Sequence, residues 1–354
     1  MSNKKFGAAA KRSMIGIGIA SMFLIGGAEA AGFNTPGDVL ISDQFNNRVI
    51  EEDPSGNIVW TFGDTSYIAG PTSVVAPNDA ERVGKLTLIS GTGAPAGAET
   101  WCPNGCADNR VLLVDENANI VWQYGEAGVS GAGAGLLNAP VCAAYLPTGN
   151  ILITDQGNQR IIEVTPEKQI VWQYGENANP GSAANQLNNP NSAELLDNGD
   201  VLIADESNNR VIEVTQAKQV VWQYGSVTNT VTLNAPAFAS RLSNGDTLIA
   251  DSGNNRVVEI DANKNVVFTY YTNKRPGSVT NPIPTRAIRL KNGNTLISDQ
   301  ANDQVIEITP TGHIVESFGT IGVAGIGDGW LNWPYDAKVV GDYTGLVSPF
   351  PSAN

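Results

Sequence analysis

The chain has 354 residues, with 21 Lys and Arg against 35 Asp and Glu, a net charge of −14, one His and three Cys. That acidity excludes nucleic acid and anionic membranes as main partners, because both select basic surfaces. A single imidazole excludes a His-rich zinc site, while 42 % hydrophobic residues suffice for a core.

The first segment reads as an export signal. Lys4, Lys5, Lys11 and Arg12 precede an apolar run from Met14 to about Gly27, which ends in the small-x-small pattern Ala28-Glu29-Ala30. The run is short of the roughly 20 residues that span a bilayer. Residues 1–30 are therefore expected to be a cleaved signal peptide, and 31–354 one exported domain, periplasmic or extracellular, monomeric and without stable membrane insertion. Export permits disulfides. Cys102 and Cys106 flank Pro-Asn-Gly, a turn that brings them within bonding reach, whereas Cys142 lies in an apolar strand and reads as a buried free thiol.

From there the chain repeats one unit. Gly149-Asn-Ile-Leu-Ile-Thr-Asp155 is followed by Asn158, Arg160, Glu163 and Trp172. The same order recurs at Asp205, Asn208, Arg210, Glu213 and Trp222, and again from Asp251 and from Asp299, where Gln304 replaces the Arg. An earlier copy runs from Asp43 to Trp60. Each unit holds four short runs of β-branched and aromatic residues between Gly, Asn, Asp and Pro turns, which are strands. Four strands per repeat of 46–50 residues, measured from Asp155 to Asp299, predict an all-β, six-bladed propeller.

One copy is disturbed. Gly91 stands where the others carry Asp, and an insertion of about residues 92–107 holds Trp101 and both loop cysteines. The chain enters the first blade at its second strand, Asp38-Val-Leu-Ile-Ser42. The missing inner strand is supplied by Leu331-Asn-Trp-Pro334-Tyr-Asp-Ala-Lys-Val-Val340, so the C-terminal strand is expected to close the ring.

The unit Pro-x-x-Ala-x-x-Leu-x-Asn-Gly-x-x-Leu-Ile-x-Asp-x-x-Asn-x-Arg-Val-x-Glu resembles the NHL repeat from about Gly37 to Val340. Its ending Val-Val-Trp-Gln-Tyr-Gly is similar, more weakly, to arylsulfotransferase-type propellers. The first resemblance implies a six-bladed ring from a group that includes protein- and RNA-binding modules, a peptide-amidating lyase and exported bacterial proteins. It does not fix chemistry.

The repeated Asp, Asn, Arg, Glu and Trp recur blade after blade, so they read as turn bonding and inter-blade packing rather than as a catalytic set. Positions that differ between blades carry more information. Two residues after each strand-opening Pro stand Ser73, Cys142, Ser192, Phe238, Arg286 and Asp336; one residue after it stand Thr72, Val141, Asn191, Ala237, Thr285 and Tyr335. Glu194, Arg241, Arg289 and Lys338 lie further along. Asn191, Arg286, Tyr335, Asp336 and Trp333 are the candidate ligand-binding residues at the channel mouth, with Arg286 and Asp336 placed to pair. His313, in Pro-Thr-Gly-His, reads as an exposed turn residue, which weakens chemistries built on histidine. The expected function is binding of a protein, peptide or glycan, with the disulfide loop as part of the surface and no cofactor. The alternative is a divalent-cation-dependent hydrolase or lyase holding Ca2+ at the central channel by oxygen ligands.

Overall fold

The computed structural model describes residues 32–342; the expected signal peptide lies outside them. The described residues form six four-stranded antiparallel sheets, with short 3-10 turns and no α-helix. In chain order the blades span 39–62, 77–125, 140–174, 190–225, 236–271 and 284–318. Pro334–Val339 completes the first blade by pairing with Val39–Asp43, as the sequence predicts. No helix among the described residues is long and apolar enough to cross a membrane.

The alternation of strands explains the packing. Ile, Val and Leu at every second position fill the spaces between blades, as with Ile153, Ile162 and Ile203, all under 1 % exposed. The fourth-strand tryptophans stitch neighbours: the Trp122 indole donates to the Pro166 carbonyl and the Trp172 indole to the Gln216 carbonyl, both in the next blade. Glu213 and Glu259 pair with Arg241 and Arg289 of the following blade.

The repeated Asp binds its own blade and the incoming chain together. In blade three, Asp155 accepts from Arg160 Nε at 2.7 Å, from Asn158 Nδ2 at 2.8 Å and from the Asn138 amide at 2.8 Å. Two blades break the sequence rule and keep the bond. In blade two Asp108 takes the place of the missing Asp: it pairs with Arg110 Nε at 2.6 Å and accepts the Val75 amide at 2.7 Å. Gly91 makes the room, since a Cβ there would lie 2.6 Å from the Asp108 Cγ. In blade six Arg275, from the preceding loop, pairs with Asp299 where Gln304 cannot, and also donates to Gln304 Oε1 at 2.8 Å.

Candidate functional site at the channel mouth

Each inner strand begins with a Pro followed by a β-bulge, and the bulge re-aims the next two side chains so that they meet in the channel. One register differs from expectation. The inner strand of blade two is Pro77–Val83, so its channel residues are Asn78 and Asp79, not Thr72 and Ser73. The alanine three places after the Pro marks the true start. Ala143, Ala193, Ala239, Ala287 and Ala337 all follow that spacing, and Ala80 fits it from Pro77, whereas Pro71 leads to Val74.

The channel is closed at two levels. In the upper one, Asn191 and the Tyr335 hydroxyl bond across the ring from blade four to blade one, Nδ2 donating at 2.8 Å, and Asn191 Nδ2 also donates to Glu206 Oε2 at 2.8 Å. Below it lies a buried charge quartet. Arg286 joins Asp79 and Asp336, each at 2.7 Å, and Lys338 Nζ joins Asp79 at 2.8 Å and reaches Asp336 as well. Arg286 also lies over the Phe238 ring, 4.4 Å from its centroid. Burial pushes the Asp336 carboxyl up, but Arg286 and Lys338 pull harder and hold it below its usual range. The same burial pushes the Cys142 thiol, free and beside Arg286, up to about 11.

Lower still, a void of about 30 Å³ is lined from all six inner strands, with Glu81 and Glu194 on its wall. Burial raises both carboxyls, Glu81 to about 8 despite Lys338 and the Tyr145 amide, with Asp79 and Asp336 adding to the rise. An acid whose folded pKa exceeds the ordinary 4.5 favours the native state when protonated. Stability should therefore fall as pH climbs from about 4.5 to about 8, by up to roughly 1.4 kcal/mol for each pH unit crossed. Thermal melts of Glu81→Gln should show a flatter pH dependence than the parent and a higher Tm at pH 8. Parallel curves would count against the buried acid.

The quartet does not suit the Ca2+ expected under the enzymatic alternative. Ca2+ takes six to eight oxygen ligands, and both channel aspartates already face Arg286 and Lys338. Among the described residues no group of three or more His, Cys, Asp or Glu is arranged to hold a metal ion. His313 is exposed on its turn.

Above the Asn191–Tyr335 bridge opens a cleft of about 620 Å³. Its floor is formed by residues directly after the second strands, Gln44, Gln156 and Gln300, together with Asn78. Gln300 Nε2 donates to Gln44 Oε1 at 2.8 Å, and Gln44 Nε2 to Asn78 Oδ1 at 2.7 Å. One wall is the inserted hairpin of blade two, where strands Leu86–Ala94 and Cys106–Asp115 extend past the other blades. The Cys102–Cys106 disulfide closes it, with Cα atoms 5.7 Å apart. Trp101 at its tip packs on Tyr67 and Phe45, and Phe45 in turn packs on Trp333, ring centroids 5.4 Å apart. Among the described residues no charged side chain lines this cleft.

Of the candidates from sequence, Trp333 lines the cleft, Asn191 and Tyr335 form the bridge beneath it, and Arg286 and Asp336 are paired and buried deeper. The glutamine ring, Asn78 and Asp79 were not among them. The signal for the ring was present, because the residue after the repeated Asp differs from blade to blade: Gln44, Gln156, Glu206, Ser252 and Gln300.

Fold and site together define a six-bladed propeller with a closed channel and a polar cleft on one face. No protein-family model and no curated protein matches the sequence. Solved propellers resemble the fold. A protein of unknown function from Bacteroides caccae shares 17 % identity at a TM-score of 0.57, over 81 % of this chain and 97 % of that one. A streptogramin B lyase shares 14 % at 0.52, over 82 % and 80 %. A chain of a nidogen/laminin complex shares 10 % at 0.52, over 79 % and 92 %. At these identities the likeness is one of fold.

Proposed function

We propose that the protein is an exported binding module, a propeller of NHL type, that holds an uncharged polar ligand, a glycan or a peptide segment, in the mouth cleft without a metal ion. One observation carries this reading: the cleft is lined by carboxamides, small residues and aromatic rings, while Arg286, Lys338, Asp79 and Asp336 are paired with one another beneath it and Glu206, outside the lining, is held by Asn191 and Gln156. A site built for acid–base work presents a reachable titrating group to its substrate. The disulfide on the cleft wall supports an oxidising compartment. The nidogen/laminin neighbour supports the use of this ring shape as a binding platform. The streptogramin B lyase neighbour keeps the hydrolase or lyase alternative in view, but no group of three or more His, Cys, Asp or Glu among the described residues is arranged to hold its cation.

The test is a tryptophan-fluorescence titration with neutral oligosaccharides and capped neutral peptides, with and without EDTA. A saturable response that EDTA leaves unchanged is expected. It should disappear in Ala107→Trp, which fills the cleft from an exposed position on its wall. Binding that survives Ala107→Trp, or that EDTA abolishes, would overturn the assignment.

A further inference from the structure

We infer that the ligand is the end of an uncharged saccharide chain, an inference that rests on the mouth-cleft reading. Several hydrogen-bonding atoms at the cleft are left over from the protein's own bonds. The chain Gln300 to Gln44 to Asn78 runs its donors in one direction, so it ends on an acceptor, Gln300 Oε1, and a donor, Asn78 Nδ2. Neither has a partner among the described residues. Gln156 spends Nε2 on Glu206 at 3.3 Å and keeps Oε1 free. Asn109 on the wall spends Oδ1 on the Ala139 amide at 2.8 Å, and its Nδ2, buried, has no acceptor. The cleft thus offers a free donor on Asn78 and free acceptors on Gln300 and Gln156 within one bowl, all from neutral groups, with the buried Asn109 Nδ2 behind its wall.

A sugar hydroxyl donates and accepts at once, and a ring of them matches a surface that mixes the two. Its apolar ring face needs an aromatic partner, and Trp333, half-buried on Phe45, supplies one at the cleft edge. The size lies within the range of small-ligand sites. The floor favours a chain end over a threaded chain, because Gln300, Gln44 and Asn78 are bonded to one another across it and Asn191 and Tyr335 are bonded across the channel. A peptide that binds by strand addition needs an open sheet edge, and a bowl with a bonded floor gives it no run. The net charge of −14 and the uncharged lining both disfavour sulfated or uronate glycans.

Isothermal titration of the mature protein against neutral glucan, galactan and N-acetylglucosamine oligomers, their sulfated or uronate counterparts, and capped neutral peptides tests this. At least one neutral oligosaccharide should bind saturably, with affinity reduced tenfold or more in Asn78→Ala and, at unchanged Tm, in Gln156→Ala. Gln156 makes only one weak side-chain bond, so its variant serves if Asn78→Ala disturbs the fold. Binding of anionic glycans alone overturns the inference. Binding of peptides alone, lost in Ala107→Trp, overturns it while leaving the mouth-cleft reading in place. Absence of any binding overturns both.

Discussion

Arg286→Met is expected to cost about 3–5 kcal/mol of stability, or to prevent folding outright. Arg286 is 2 % exposed and is bonded to Asp79 and Asp336. Without it two buried carboxylates face one cation, Lys338, and one negative charge has neither water nor a partner. The penalty belongs to the abandoned carboxylate more than to the lost bond. Arg286→Met combined with Asp336→Asn should therefore recover much of the loss, since Asp79 and Lys338 then balance. Urea unfolding at pH 7 measures both. As a control, Arg241→Ala removes a cation that is 25 % exposed from Glu213 and should cost about 1 kcal/mol or less. Equal losses for the Arg286 and Arg241 variants would show that the quartet is not the buried keystone its geometry describes.

The second large effect concerns the blade that departs from the repeat. Asp108→Asn leaves Arg110, 2 % exposed, without its carboxylate and is expected to cost about 3 kcal/mol or more. In the other blades the same two positions hold Asp, at the end of the second strand, and Asn, two residues before the Arg or, in blade six, before Gln304. Gly91→Asp combined with Asp108→Asn writes that arrangement into blade two, and the register of Gly91 opposite Arg110 matches that of Asp155 opposite Arg160. Gly91→Asp alone should destabilise by overlap with the Asp108 carboxyl. The double variant should then be more stable than either single one, which equilibrium denaturation reads directly. If it is the least stable of the three, the inserted hairpin holds the turn in a shape that the common pattern cannot use.

These two sites also show what the sequence could disclose. The blades, their order and the closing strand were legible because each rests on local spacing repeated many times. The disulfide was legible from a turn between two cysteines. The substitutions at Gly91 and Gln304 were visible as departures, but their remedies, Asp108 and Arg275, lie outside the repeated positions. The channel was less legible still. Asp79 meets Arg286 across 207 positions of sequence and Lys338 across 259. No local pattern joins them, and a second proline, Pro71, hid the register of the strand that carries Asp79. The cleft is assembled from turn residues of three blades and one hairpin, so its neutrality emerges only when they are side by side.

The closing strand has a consequence for how the molecule comes into being. Asn332 donates its amide to Asp43 across 289 positions, and Gly37 and Val340 bond at 3.0 Å. The first blade therefore waits until Pro334–Val339 has been synthesised, after all the other blades, and until then the chain is an open arc with an unpaired sheet edge. Contacts of such sequence separation slow folding and lengthen exposure to aggregation. Asp79 waits as well, since both its cations arrive late. The ring and its charged centre are thus completed in one final event, and a truncated chain lacking Pro334–Val339 would lose the seam and the lock together.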